Sequence, residues 1–268
     1  MLAGFGGPSV THYVALLSDL PAAIASGVLA ATTARQIERG PLRSGWLLLA
    51  VALGLYLLGL TIATISWLHH VDPFPGPADV CYCAFDVVLA LATISLIRAA
   101  AVRVPWVQFS LDGTIFIVGF GAFFWFLVIR PVAAHVEVDF VKQALSIGYM
   151  ALDCVLLLML GVLLLTGTGT AGGRRVPLLL LSGFAAMFLG DILWSLAKVR
   201  GYYLPGGFQD VMYLSCYVPL AAAGREQMHC LYAPARAMST RSDALARSLP
   251  APHPTPLPPA CPASLPEP

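Results

Sequence analysis

Residues 46–67 read WLLLAVALGLYLLGLTIATISW, an apolar run without a single charge. A helix rises about 1.5 Å per residue, so a run of this length crosses the roughly 30 Å hydrocarbon layer of a bilayer. The run lacks the alternating polar pattern of a transmembrane strand. A helix also satisfies its own backbone groups, which lipid cannot do. Working outward, seven segments meet or approach the same standard: 13–33, 44–67, 79–97, 110–130, 143–165, 176–197 and 208–224. The expected fold is all-α, a polytopic membrane bundle of about seven transmembrane helices. Its membrane domain covers residues 1–227, and a cytoplasmic tail covers 228–268. The first segment contains Asp19 and Pro21 and the seventh is short, so six or eight spans stay open.

Composition agrees. Of 268 residues, 58% are apolar and 11% charged, and the mean hydropathy is +0.80, far from the balance of a soluble domain. A formal net charge of +1 gives no basis for nucleic-acid binding. The start MLAGFGGPSVTHYV lacks the basic region of a secretory signal, so the first run is expected to be retained as a span.

The basic residues orient the bundle. Arg35, Arg39, Arg43, Arg98, Arg103, Arg174, Arg175, Arg225, Arg236, Arg241 and Arg247 fall on one side of the expected spans; Arg130, Lys142, Lys198 and Arg200 fall on the other. By the positive-inside rule the amino terminus is extracytoplasmic and the carboxyl terminus cytoplasmic. The location that follows is multi-pass in a bacterial inner membrane. The tail begins basic and then carries nine prolines in residues 250–268, a composition that resists regular structure.

Catalytic and metal-binding signatures are missing from the sequence. There is no Walker lysine loop, HExxH, nucleophile elbow or Cys-x-x-Cys. Cys81 and Cys83 lie two apart, on different helix faces; Cys154 and Cys216 lie in apolar spans; Cys230 and Cys261 are expected in the cytoplasm, where disulfides are rare. No cofactor or metal is expected, and no enzymatic activity.

A repeat points to the site. The turn DPFPGPADV (72–80) precedes the third span and GYYLPGGFQDV (201–211) the seventh, so Asp79, Val80 and Tyr82 correspond to Asp210, Val211 and Tyr213, and Asp86 to Tyr217. Tyr149 and Asp153 repeat the spacing of Tyr82 and Asp86, which puts hydroxyl and carboxyl one turn apart on one helix face. This suggests a first helix followed by three hairpins. Intramembrane carboxylates are costly unless paired, wet or protonated. The ligand-pocket candidates are therefore Asp19, Asp79, Tyr82, Asp86, Tyr149, Asp153, Asp191, Asp210, Tyr213 and Tyr217, gathered toward the extracytoplasmic half, with Asp153 close to the middle of the membrane. Each also has a structural reading. Asp79, Asp210 and Asp112 suit helix caps, the tyrosines suit interfacial packing, and Asp86, Asp153 and Asp191 suit interhelical hydrogen bonds. His69 and His70 lie at the expected rim, as polar anchors or as groups that titrate near neutrality.

The stretches PFPGPADVCYCAFDVVLALATISLIR (73–98) and LPGGFQDVMYLSCYVPLAAAGREQ (204–227), with SLDGTIFIVGFGAFFWFLVIRP (110–131) between them, resemble the membrane-embedded sensor region of bacterial cyclic-di-GMP signalling proteins. The shared pattern is a proline followed by Asp-x-x-Tyr-x-x-x-Tyr, matched by Asp79 and Tyr82 and by Asp210, Tyr213 and Tyr217. Asp86 departs from it, standing where the pattern has its second tyrosine. GGDEF and EAL motifs are absent, so the resemblance implies sensing without synthesis or hydrolysis of the messenger, by a stand-alone sensor or a module separated from its output domain. The partners it implies are membrane lipids, a small ligand, a cytoplasmic signalling protein or separate GGDEF or EAL domain, and a second copy of the chain. A small secondary transporter and a purely structural membrane protein are the competing expectations.

Overall fold

The computed structural model describes residues 7–69, 71, 75–100, 107, 110–111, 114–115, 118–119, 121–122, 125–126, 130, 140–166, 174–199 and 207–248. Most of the fourth expected span, Asp112, His70 and the proline-rich tail lie outside them. Six helices stand out: α1 (Gly7–Gln36), α2 (Pro41–Leu68), α3 (Pro77–Ala99), α4 (Phe140–Thr166), α5 (Arg175–Val199) and α6 (Phe208–Ser248). Among the described residues, Leu17–Gln36, Pro41–Ser66, Pro77–Ala99 and Arg175–Trp194 are long and apolar enough to cross a membrane, and α4 adds a shorter apolar stretch, Ala151–Leu164. The chain is an all-α polytopic bundle.

Both faces of these helices are apolar, as lipid requires. Trp46, Leu49, Ala52 and Leu53 of α2 are buried, while Leu47, Val51, Leu58 and Ile65 on its other side are about half exposed. Water would not tolerate such a surface around a whole bundle, and a bilayer does.

The helices close a ring. α2 packs on α1 and on α3, α3 on α4, and α4 on α5. Gly183 and Gly190 of α5 lie against Leu220 and Tyr213 of α6. Two hydroxyls tie α6 back to α1: Ser26 Oγ donates to the Tyr217 carbonyl at 3.2 Å, and Thr33 Oγ1 to the Gly224 carbonyl at 3.3 Å. The two contacts have the same sequence separation, so α1 and α6 run parallel in register.

The α2–α3 hairpin is built a second time as α5–α6. Adding 131 to a residue number carries Gly59 to Gly190 and Tyr82 to Tyr213, and a Cβ on either glycine would sit 2.7 Å or 2.9 Å from the corresponding tyrosine ring. Equivalent positions share their burial: Ala52 and Gly183, Leu53 and Phe184, Leu89 and Leu220, and Ala92 and Ala223 are buried, whereas Val80 and Val211, Val87 and Val218, and Leu58 and Leu189 are exposed. The repeated unit is thus the helical hairpin, α2–α3 and again α5–α6; between α1 and α4, which the same shift pairs, the burial differs, with Ala25 and Val28 exposed where Leu156 and Met159 are buried.

The structure divides into two compact units, Met1–Leu231 and Tyr232–Pro268. In the second unit the basic stretch is helical to Ser248, the end of α6. Ala, Arg and Met there are good helix formers; the proline-rich stretch 250–268 lies outside the described residues.

Candidate functional site

All ten candidate residues lie on five helices of the ring, in the half that holds the amino-terminal ends of α1, α3, α4 and α6 and the carboxyl-terminal end of α5. They form three linked groups.

The first group sits at the start of α3. Gly76 is extended, Pro77 opens the helix, and Asp79 Oδ2 accepts the Gly76 N–H at 2.6 Å in a capping box. Proline at the first helical position costs no hydrogen bond, and a carboxylate there meets the favourable end of the helix dipole. Tyr149 of α4 donates to the Asp79 carbonyl at 3.0 Å and to Asp79 Oδ1 at 3.1 Å, beside Cys83. Asp79 is thus a cap and an α3–α4 tie at once.

The second group joins α3, α4, α5 and α6. Tyr213 Oη donates to Asp191 Oδ1 at 2.6 Å. Asp191 and Asp153 are also close enough for their carboxyls to act on each other. The 5% exposed Asp86 is close enough for its charge to act on Asp153 and to feel that of Asp191.

The third group lies between α1 and α6. Asp19 is an electrostatic neighbour of Asp210, Cys216 and Tyr217. It is 8% exposed, and its Oδ1 has no hydrogen-bond partner among the described residues. Tyr217 is 3% exposed, and its buried hydroxyl faces Tyr56 without ordinary hydrogen-bond geometry.

Aromatic rings link these groups. The Tyr56 ring centroid lies 5.5 Å from that of Tyr82, 5.3 Å from Phe85 and 6.4 Å from Tyr217. Tyr82 in turn neighbours Asp79, Asp191 and Asp19. Tyr56 and Phe85 were not among the sequence candidates. Tyr56 sits in the middle of the apolar run of α2, where no nearby charge or repeated motif marks it, and only the fold reveals its place.

Among the described residues the charges acting on Asp19, Asp86 and Asp153 come from carboxyls, and no Lys, Arg or His acts on them or on Asp191. Among the described residues no three His, Cys, Asp or Glu converge as a metal site. The opposite end of the ring is basic: Arg35 ends α1, Arg98 lies in the last turn of α3, and Arg175 pairs with Glu226 at 3.5 Å. No family model matches the chain, and neither a curated protein nor a solved structure does.

Proposed function

We propose that the chain is a non-catalytic sensory module of a bacterial inner membrane, with seven spans, its amino terminus outside and an outward-facing polar pocket inside the helix ring. The observation that carries this reading is the division of the ring interior. Carboxyls and tyrosines fill one half, whereas the other buries Trp46, Leu49, Leu89, Leu96, Leu180 and Leu220 with only the uncharged Thr33, Thr93 and Gln227 as polar groups among the described residues. A ligand entering from the polar end meets donors and acceptors and then an apolar plug, which suits binding better than conduction. The basic end supports the cytoplasmic assignment of the plug. The resemblance of the Asp-x-x-Tyr pattern to the sensor regions of cyclic-di-GMP signalling proteins suggests the output.

Transmission requires two helix packings that differ in their interaction with the ligand. α6 is suited to carry the change, because it holds Tyr213 and Tyr217 in the polar half and continues past Arg225. The test is a GGDEF domain fused after Leu231, with cyclic-di-GMP measured in cells. Asp86→Asn and Asp191→Asn are each expected to shift the output at unchanged protein level. Equal output from both variants and the parent would sink the sensory reading.

The duplicated hairpin favours a second reading, a small secondary transporter. Parallel repeats with ionisable residues between them are a transporter architecture. Cation uptake into proteoliposomes that is abolished by Asp153→Asn or Asp191→Asn would establish it.

A further inference from the structure

The chemistry of the ring interior narrows its ligand, provided that the interior is a binding site as proposed above. Asp19, Asp86, Asp153 and Asp191 gather there, and among the described residues no Lys, Arg or His acts on them. An anion would meet only repulsion. An inorganic cation needs converging oxygens, and the described carboxyls are spread over three groups instead.

Four buried side-chain atoms lack hydrogen-bond partners among the described residues: Trp46 Nε1 and Gln227 Nε2, and, in the acidic half, Asp19 Oδ1 and Tyr217 Oη, the last two on residues 8% and 3% exposed. A buried acceptor left unpaired is costly, and an N–H donor removes that cost. Asp79, by contrast, is already occupied by Gly76 and Tyr149. Between the Asp19 group and the Asp86–Asp153–Asp191 group stand the rings of Tyr56 and Tyr82, whose faces attract ammonium groups and whose bodies pack against methylenes.

We propose that the ring interior binds an aliphatic amine cation, one ammonium donating to Asp19 Oδ1 and Tyr217 Oη and, in a diamine, a second ammonium meeting Asp86 and Asp191 across the tyrosine rings. A diamine matches two separated acidic groups better than any single point charge does.

The test uses the full chain in detergent, titrated by calorimetry with 1,4-diaminobutane, n-butylamine, NaCl and MgCl2 at matched ionic strength. Diaminobutane is expected to bind, butylamine to bind at least about tenfold more weakly, and the two salts not to compete. Asp19→Asn should weaken diaminobutane by about tenfold or more, and Tyr217→Phe, which keeps the ring packing, by several-fold. The proposal is overturned if neither amine binds, if either salt displaces the diamine at equal concentration, or if both variants bind like the parent. Its failure is separable from that of the sensory reading. Output from the GGDEF fusion that responds to Asp86→Asn while no amine binds leaves the sensor and removes the ligand class. Amine binding with an output indifferent to every neutralisation does the reverse.

Discussion

At the scale of single residues, the acid–tyrosine contacts are unequal. Tyr213 reaches Asp191 at 2.6 Å, whereas Tyr149 shares its hydroxyl between two acceptors at 3.0 and 3.1 Å. Tyr213→Phe should therefore lower stability by about 1 kcal/mol, near the usual worth of an interhelical hydrogen bond in a membrane, and Tyr149→Phe by less, because Asp79 keeps its bond from Gly76. Thermal unfolding of the two variants in one detergent checks the order. The sequence exposed these residues through their cost: a carboxyl in an apolar span is conspicuous. It could not show which carboxyls meet. The Asp153–Asp191 pair joins helices far apart in sequence, and Tyr56 carries no charge to draw attention.

At the scale of elements, glycine sets how closely the hairpins approach. A Cβ at Gly59 would lie 2.7 Å from the Tyr82 ring and one at Gly190 2.9 Å from the Tyr213 ring, while nothing comes within 4 Å of one at Gly54. Gly59→Ala and Gly190→Ala should each destabilise by about 1–3 kcal/mol through overpacking. Gly54→Ala should be neutral or slightly stabilising, since alanine is the better helix former. Similar losses at the first two positions and none at the third, in the same unfolding assay, would support the duplicated plan. That plan was half legible. The matching turns before α3 and α6 were visible because their polar residues stand out. The match of α2 to α5 rests on apolar positions of changing identity, such as Leu53 and Phe184, so it emerges only from burial.

For the whole molecule, the ring depends on its closure and on its orientation in the bilayer. The Arg175–Glu226 pair contributes little to closure, because the arginine side chain is 82% exposed. Arg175→Ala should change stability by less than about 0.5 kcal/mol. Reporters fused after Arg225 and within residues 132–142 should fall in the cytoplasm and outside it, respectively. Hydropathy made the membrane fold legible, because a bilayer demands long apolar helices. The order of helices around the ring was not, because lipid-facing and ring-facing positions are both apolar. The central claim is that the acid–tyrosine half of the ring opens outward and its other half is sealed. It is tested most directly by a single thiol introduced by Tyr82→Cys in a chain whose own cysteines are replaced by alanine, probed with a membrane-impermeant methanethiosulfonate. Labelling in right-side-out vesicles and none in inside-out vesicles is the predicted result; labelling from the cytoplasmic face would contradict it.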